Sequence, residues 1–398
     1  MSLRICEVNR RSWVCEIALP RFLLCGLFPL QIVGCSRAVP PVAVPTIPVD
    51  VRAEHILGNS ATSQAEEFSP EVGPLRGVLL QSGGVAVTAG AEIRIYDSLG
   101  NRVATNGRRG AGPGEFRGLT SICATSGDTL VAWDEAARRI SVVTARGAFV
   151  RNLVLPNGSS FEDACFDDGT FIVGVLGAAR RNFPNGVVHL ARTRLDGTIV
   201  DTFPAAAAEV SDFAVPHELQ VVATGQDLYV GDSDQGRIVV YSDTRGGQST
   251  VTVGAAPMPL PADLRERRLR SGVRMNQPSN ALAILRRLKR LPHRERWPAF
   301  DKLKVDAAGR LWVEGYNQGP SSTSTWRIFS PGGCQIATVV IPPGPDGTER
   351  HLLSIGDKRI LVRYDDDDQT RVGIFSLATL ADSVARHSDG RAPAICRR

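Results

Sequence analysis

The sequence predicts an all-β fold, a six-bladed β-propeller with a helical insertion between blades four and five. Turn glycines recur six times along the chain, at steps of 43, 42, 56, 84 and 47 residues. Each one is followed by the same order of short apolar strands and polar turns. A base period of about 40–50 residues with this order is typical of one four-stranded propeller blade. The six turn glycines are Gly84, Gly127, Gly169, Gly225, Gly309 and Gly356.

Period-2 alternation supports the strand assignment within each repeat. Residues 93–96 and 140–142 alternate between apolar and polar side chains, which is the pattern of half-buried strands. An apolar segment before each turn glycine supplies the innermost strand of that blade. These segments begin at Gly77, Ser121, Asp163, Leu219, Leu303 and Leu352.

The sixth repeat stops after three strands, so another part of the chain must complete it. A propeller closes its ring because an open ring would expose an unpaired strand edge. Residues 54–57 precede the first innermost strand and have the composition of a short strand. We therefore expect them to be the outer strand of blade six.

The first 34 residues have the features of a signal peptide. Arg10, Arg11 and Arg21 precede the apolar run 22–33, which is too short to span a bilayer. The run ends in Ile-Val-Gly-Cys, which resembles the bacterial lipobox and implies a lipid on Cys35. An ordinary signal peptide with an incidental cysteine is the alternative. Either interpretation predicts export, and the lipid predicts anchoring in the bacterial cell envelope, on its periplasmic or surface side.

The remaining domain boundaries follow from composition. Residues 35–52 contain four prolines within a short stretch, which favours an extended tether between a membrane and the folded domain. Residues 53–380 form the predicted propeller, and residues 381–398 form a C-terminal tail.

Positive charge is concentrated in one insertion. Residues 262–297 carry a net charge of +8 and residues 1–34 carry +2, although the whole chain carries only +5. The rest of the chain is therefore mildly acidic, which argues against nucleic acid as a partner. Within the insertion, 256–299, apolar residues at helical spacing predict a basic helical cap over the channel. We expect its arginines to pair with acidic loops of the propeller. The alternatives are that they bind anionic lipid or an acidic partner, and the candidate binding residues are Arg286, Arg287 and Arg290.

Four cysteines remain after the leader and Cys35, and they allow three disulfide pairings. Cys123 and Cys165 each lie four residues before a turn glycine, where other repeats have Val or Leu. This position predicts a buried apolar role for both side chains in preference to a disulfide. The other two are Cys334 and Cys396.

One segment resembles a known repeat family. The run 107–117 has the form Gly-x-x-Gly-x-Gly-Pro-Gly-x-Phe-Arg, and a strand ending in Trp-Asp and an Arg-Ile pair follow it. This order resembles the NHL-repeat propellers, and the whole chain looks like the six-bladed propeller lipoproteins of bacteria. The resemblance covers residues 54–380 and implies the fold, whereas propellers as a class support many unrelated activities.

Several charged features fall on the face where the innermost strands begin. Arg108 and Arg109 are candidate partner-binding residues there, next to the Gly-Pro-Gly turn. The acidic run 365–368 has the ligand type that Ca²⁺ prefers, although it also suits a solvated loop.

Candidate metal ligands also occur near this face. His217, Asp301 and His351 directly precede the innermost strands of blades four, five and six, and 162–163 is acidic. If these side chains converge at the channel mouth, they can hold a metal ion. Propeller lyases and lactonases hold their metal with ligands placed in this way. No hydrolase elbow, zinc-protease or nucleotide-binding motif is present in the sequence.

The sequence therefore favours an envelope-anchored, monomeric binding or scaffold module. We expect it to bind an unidentified protein or small ligand at the channel face and to need no cofactor. The alternative is a metal-dependent channel enzyme, and a third hypothesis makes the basic insertion a dock for a membrane or polyanion.

Overall fold

Six antiparallel sheets of successive strands form the blades, which confirms the predicted six-bladed all-β propeller. The successive strands of each blade follow chain order outward from the innermost strand, and N-terminal strands are added outside blades five and six. The computed structural model describes residues 44–50, 52–57, 68, 75–155, 159–176, 186–208, 219–242, 247–254, 259–261, 296–316, 323–344, 347–366 and 369–377. All of them belong to one unit, residues 42–398.

The first three blades each contain four strands. Blade one consists of β3 (Gly77–Leu79), β4 (Val85–Ala89), β5 (Glu92–Tyr96) and β6 (Arg102–Asn106). Blade two consists of β7 (Leu119–Ala124), β8 (Leu130–Asp134), β9 (Arg139–Val143) and β10 (Phe149–Val154). Blade three consists of β11 (Ser159–Cys165), β12 (Phe171–Leu176), β13 (Gly186–Thr193) and β14 (Ile199–Ala208).

The last three blades repeat this order, with additions from the N-terminal segment. Blade four consists of β15 (Leu219–Thr224), β16 (Asp227–Asp232), β17 (Arg237–Ser242) and β18 (Gly247–Thr252). Blade five consists of β19 (Lys302–Val305), β20 (Leu311–Glu314), β21 (Ser324–Phe329) and β22 (Gln335–Ile341). Blade six has β23 (His351–Ile355), β24 (Arg359–Asp366) and β25 (Gln369–Ser376).

The N-terminal segment completes the ring. Strand β2 (His55–Ile56) pairs antiparallel with β25, which confirms that residues 54–57 supply the outer strand of blade six. Strand β1 (Thr46–Pro48) pairs parallel with β22 and makes blade five a five-stranded sheet. Both ends of the propeller chain therefore share one blade, which removes the free sheet edge that an open ring would leave.

The core consists of six apolar clusters, one between each pair of neighbouring blades. The cluster between blades four and five contains Tyr229, Phe300 and Val313, all of them buried. Gly231 leaves room for Leu303 at this contact, because a Cβ there would lie 2.3 Å from the Leu303 side chain. Close packing of this kind orients the blades around one central axis.

The predicted helical insertion between blades four and five is wrong for the residues that the structure describes. Pro259 and Arg296, near the two ends of the insertion, form an isolated antiparallel β-bridge. No α-helix occurs anywhere in the described ranges, where the helical content is one 3-10 turn, Ser126–Asp128. At these two ends the backbone pairs across the segment instead of within a helix. Residues 262–295, including Arg286, Arg287 and Arg290, lie outside the described residues. No described helix has the length and apolar character needed to cross a membrane.

The interpretation of Cys123 and Cys165 as separate apolar residues is also wrong, because the two form a disulfide. Each lies near the end of an innermost strand, β7 or β11, and the bond links blades two and three. Both side chains are buried, so the expected burial is observed together with the bond. Cys334 is likewise disulfide-bonded.

Candidate functional site

The innermost strands of the six blades contact one another around the propeller axis, in the order β3, β7, β11, β15, β19 and β23. They enclose the central channel. We call the face where these strands begin the mouth face. The second strand of each blade ends at the same face, because it runs antiparallel to the first.

Five charged or titratable side chains meet at the mouth face on the side of blades five and six. We call them the mouth cluster: Asp301, Lys302, Glu314, Glu349 and His351. The Lys302 ammonium lies 2.9 Å from a Glu314 carboxylate oxygen and 3.6 Å from one of Asp301. His351 Nδ1 lies 3.9 Å from Glu349 Oε1.

Strand register explains the central ion pair of the cluster. Lys302 opens β19 and Glu314 closes β20, and the two residues are directly opposite each other in the antiparallel pair. Glu314 is buried and also accepts a hydrogen bond from the Ser324 hydroxyl. Trp326 Nε1 donates to Ser324 Oγ at 2.7 Å. Glu314 is therefore held from behind, while Lys302 reaches it from the channel side.

The cluster changes the ionisation of its members. Burial alone would lower the pKa of Lys302, but the carboxylates of Glu314 and Asp301 outweigh it and raise the pKa above its ordinary value. Burial raises the pKa of Glu349, and the negative charge of Glu314 adds to this shift. The mouth cluster thus combines one firmly held ammonium with a carboxyl group that takes up a proton more readily than usual.

A second group of charges lies further along the channel. Lys304 follows Lys302 on the same face of β19. It interacts electrostatically with Asp163 and Arg76, which belong to blades three and one and approach from other sides of the ring. Arg76 Nε lies 3.8 Å from Asp163 Oδ2. The Lys304 ammonium therefore lies in the channel.

Burial lowers the pKa of Lys304 to about 8. The side chain keeps some contact with solvent, yet protein surrounds it closely enough to disfavour the charged form. The Asp163 carboxylate opposes the shift, whereas the Arg76 guanidinium adds to it. Two lysines of one short strand thus have pKa shifts of opposite direction.

The predicted metal ligands are only partly described. Asp301 and His351 both belong to the mouth cluster, where Asp301 lies against Lys302 and His351 lies near Glu349. His217 lies outside the described residues. Within the described part of the chain, no group of three or more His, Cys, Asp or Glu side chains has the geometry to hold a metal ion.

The acidic run 365–368 begins inside a strand. Asp365 and Asp366 are the last residues of β24 and pair with Thr370 and Gln369 of β25. The two residues between these strands, 367 and 368, lie outside the described ranges.

The predicted partner-binding arginines of the Gly-Pro-Gly turn are part of a folded loop. Arg108 forms an ion pair of 2.8 Å with Glu115, while its side chain stays 80% exposed. Glu115 also accepts a hydrogen bond from the Gly112 amide, and its pKa is lowered by that bond and by Arg108. Arg109 forms an isolated parallel bridge with Phe116. The exposed guanidinium of Arg108 is therefore fixed in position.

Asp134 and Arg139 hold this loop on blade two. The buried Asp134 carboxylate accepts amide hydrogen bonds from Arg117, Gly118 and Ala137 at 2.8–3.0 Å. The Arg139 guanidinium donates to carbonyl oxygens of the loop, including that of Ala111 at 2.7 Å. Asp134 and Arg139 are opposite each other in β8 and β9. The Trp-Asp and Arg-Ile elements of the repeat pattern therefore serve to fix the turn.

An open groove of about 730 Å³ lies on the opposite face, between blades two and three. Arg192 on its wall is buried, and its guanidinium binds Asp168 at 2.9 Å and Gln226 at 2.8 Å. It also donates to Thr170 and lies over the Phe166 ring. The guanidinium of Arg192 is thus already used within the protein.

Sequence reasoning did not identify Lys302, Lys304, Glu314 or Glu349. The sequence does contain a sign of Lys302 and Lys304, because lysine is rare in this chain: only four of the 46 basic residues are lysine. Two of those four lie two positions apart on one innermost strand. Glu314 ends an apolar strand in a register that only the hairpin with β19 reveals.

Comparisons with known proteins assign no family to this chain. No protein family profile matches the sequence, and no curated protein matches it. Among solved structures, one of a Bacteroides fragilis protein thought to be exported has a TM-score of 0.49 and 13% identity, covering 84% of this chain and 99% of that one. A gluconolactonase from Xanthomonas campestris has a TM-score of 0.41 and 12% identity, covering 85% and 99%. Virginiamycin B lyase from Staphylococcus aureus has a TM-score of 0.39 and 11% identity, covering 83% and 94%.

Proposed function

We propose that this chain is an exported, lipid-anchored propeller that binds a small ligand of mixed charge at its mouth face. The mouth cluster is the observation on which the proposal rests. Asp301, Lys302, Glu349 and His351 are each between about one third and two fifths exposed, so a ligand can reach them. They lie where a propeller gathers loops from several blades, which is where such folds commonly place ligand sites.

The charge arrangement sets the ligand class. Lys302 is held charged by Glu314 and can donate to a ligand carboxylate or phosphate. Asp301 and Glu349 offer acceptor oxygens near it, and these suit an ammonium or hydroxyl group of the same ligand. A zwitterion such as an amino acid or short peptide meets both requirements.

Export and anchoring are supported by the leader and by the repeat type. The basic and apolar segments before Cys35 favour secretion, and the cysteine favours a lipid at that position. The contacts of Asp134 and Arg139 with the loop 107–118, which contains the Gly-Pro-Gly turn, give a physical reason for the NHL-like pattern and support that assignment. We propose a cell-envelope location and a monomeric state, with the membrane contacted through the lipid.

The binding proposal predicts a ligand response that depends on two carboxylates. Amino acids and dipeptides are screened by thermal shift against the purified protein and against a double variant, Asp301→Asn with Glu349→Gln. A ligand at 100 times its dissociation constant stabilises the protein by about 2.7 kcal/mol. We expect stabilising ligands to lose at least tenfold in affinity in the double variant, because it loses both acceptor charges.

The matched control is Asp196→Asn, in an exposed turn on the opposite face. It should retain the response of the parent protein. Ligands that stabilise the double variant as well as the parent would contradict a site at the mouth cluster. A response that disappears with chelator would instead favour the metal-dependent enzyme.

A further inference from the structure

The outer edges of the six blades are not alike. Strand β1 covers the outer edge of β22 and strand β2 covers that of β25, whereas within the described ranges β6, β10, β14 and β18 have no partner strand on their outer side. The β1 pairing is evidence that an outer edge of this propeller accepts an extended segment, since the Val49 amide donates to the Val340 carbonyl at 2.9 Å. An unpaired edge presents backbone donors and acceptors to any chain that lies beside it.

Exposed apolar side chains are concentrated beside one of these open edges. Of the seven large apolar side chains that are exposed in the described part of the chain, four lie on β10 and β14, the strands that border the groove between blades two and three. Strand β18 has none of the seven, and β6 has one. The four are Val150, Val154, Ile199 and Val200, with exposed fractions of 49, 78, 57 and 39%.

Strand register determines which backbone groups of β10 point outward. The Leu155 amide donates to the Arg138 carbonyl at 3.3 Å, in continuation of the β9–β10 pairing. Residues of an antiparallel strand alternate between those that bond to the partner strand and those whose N–H and C=O point away from it. Asn152 and Val154 are therefore the residues whose backbone groups face the open edge.

The two faces of β10 carry different side chains. Arg151 and Leu153 share one face because side chains alternate along a strand. A Cβ on Gly197 of blade three would lie 3.6 Å from Leu153, so this face is turned toward blade three, and Arg151 lines the groove there. Arg151 is exposed and forms no ion pair in the part of the chain that the structure describes. Val154 lies on the other face and is largely exposed.

We infer that the groove between blades two and three is a docking site for an extended peptide that adds as a strand to the open edge of β10 and alternates acidic with apolar side chains. The peptide backbone bonds to the outward-facing groups of Asn152 and Val154. Its acidic side chains lie on the face of Arg151, and its apolar side chains lie on the face of Val154. In this mode of recognition the main-chain hydrogen bonds supply affinity and the alternate side chains supply specificity.

Charge distinguishes an acidic peptide from a basic one. Arg151 is the charge that β10 itself supplies, whereas the other exposed charges of the groove belong to blade three. Those charges are Arg194, Asp196 and Asp201, and Arg194 already acts on Asp196. A strand paired with β10 has Arg151 as its direct cross-strand neighbour, and opposite charges in that position attract.

The test measures the binding of fluorescent nonapeptides to the full chain by anisotropy at pH 7. One peptide alternates valine with glutamate and a second alternates valine with lysine. A third is the valine–glutamate peptide with N-methyl groups on its valine amides, which are the ones that pair with the edge of β10. We expect the first to bind at least tenfold more tightly than either of the others. Equal affinities, tighter binding of the lysine peptide, or no binding of the first peptide would overturn the inference.

Charge reversal tests the site itself. Arg151→Glu should reverse the preference, so that the lysine peptide binds more tightly than the glutamate peptide. The matched control is Arg102→Glu on β6, another exposed arginine of an outer strand, and it should keep the preference of the parent. Both side chains are exposed, so both variants should unfold at the temperature of the parent. An unchanged preference in Arg151→Glu counts against the site.

Amide hydrogen exchange locates the bound peptide. The valine–glutamate peptide should slow exchange at the amides of Asn152 and Val154, because these donate to it. Protection at the mouth face without protection of β10 would overturn the inference. The groove lies on the face opposite the mouth cluster, so the inference goes beyond the proposed function and its outcome does not depend on the mouth-face ligand.

Discussion

Replacing both Cys123 and Cys165 with alanine should lower the free energy of unfolding by about 4 kcal/mol, the chain-entropy value for a loop of this length. The disulfide closes a loop of 42 residues between blades two and three. It ties together two innermost strands, β7 and β11, of neighbouring blades. Urea unfolding of the parent and the double variant measures the loss.

Because reduction also opens the disulfide of Cys334, the matched control compares the parent and the double variant with both fully reduced. Most of the difference in stability between the two should then disappear. A non-reducing peptide map should contain one peptide pair that joins Cys123 to Cys165. Equal stability of variant and parent, or free thiols at both positions, would contradict the assigned bond.

Asp134→Ala should cost about 3–5 kcal/mol of stability. The buried carboxylate accepts three backbone amide hydrogen bonds, two of them from the loop before β7. Its removal leaves three donors without their partner, and each such loss costs about 1–3 kcal/mol before relaxation. Thermal and urea unfolding measure the effect.

Asp134→Asn is the informative companion, because it keeps one acceptor oxygen and the size of the side chain. It should cost clearly less than the alanine variant. Asp196→Ala, in an exposed turn, should change stability little. An alanine variant at 134 that is as stable as the parent would mean that the loop does not depend on this carboxylate.

Most of the fold could be predicted because the repeat pattern reflects which side chains are buried. Period-2 strands and turn glycines repeat in every blade, so each blade supports the assignment of the others. The closing strand, His55–Ile56, followed from counting strands in blade six. The disulfide did not follow, since a buried apolar position and a half-cystine look alike when spacing alone is considered. The insertion was assigned to helix from apolar spacing alone, and that spacing gave no sign that Pro259 and Arg296 would pair as a β-bridge.

The site was predictable only in part. Asp301 and His351 were found because the sequence places them directly before predicted innermost strands, and the structure places both in the mouth cluster. Glu314 depends on the β19–β20 register, and Lys304 depends on charges from blades one and three. The local sequence does not reveal such contacts between residues that are far apart in the chain. Rare use of lysine was the one local sign that this strand differs from the others.

The most direct test of the channel account is an NMR titration of the protein labelled with ¹³C at lysine Cε, with assignments from Lys→Arg variants. Lys304 should titrate with a pKa of about 8. The pKa of Lys302 should lie above the ordinary 10.5, because Glu314 and Asp301 outweigh its burial. Two resonances that both titrate at the ordinary value would contradict a channel with a charged lysine at its mouth and a desolvated one beyond it.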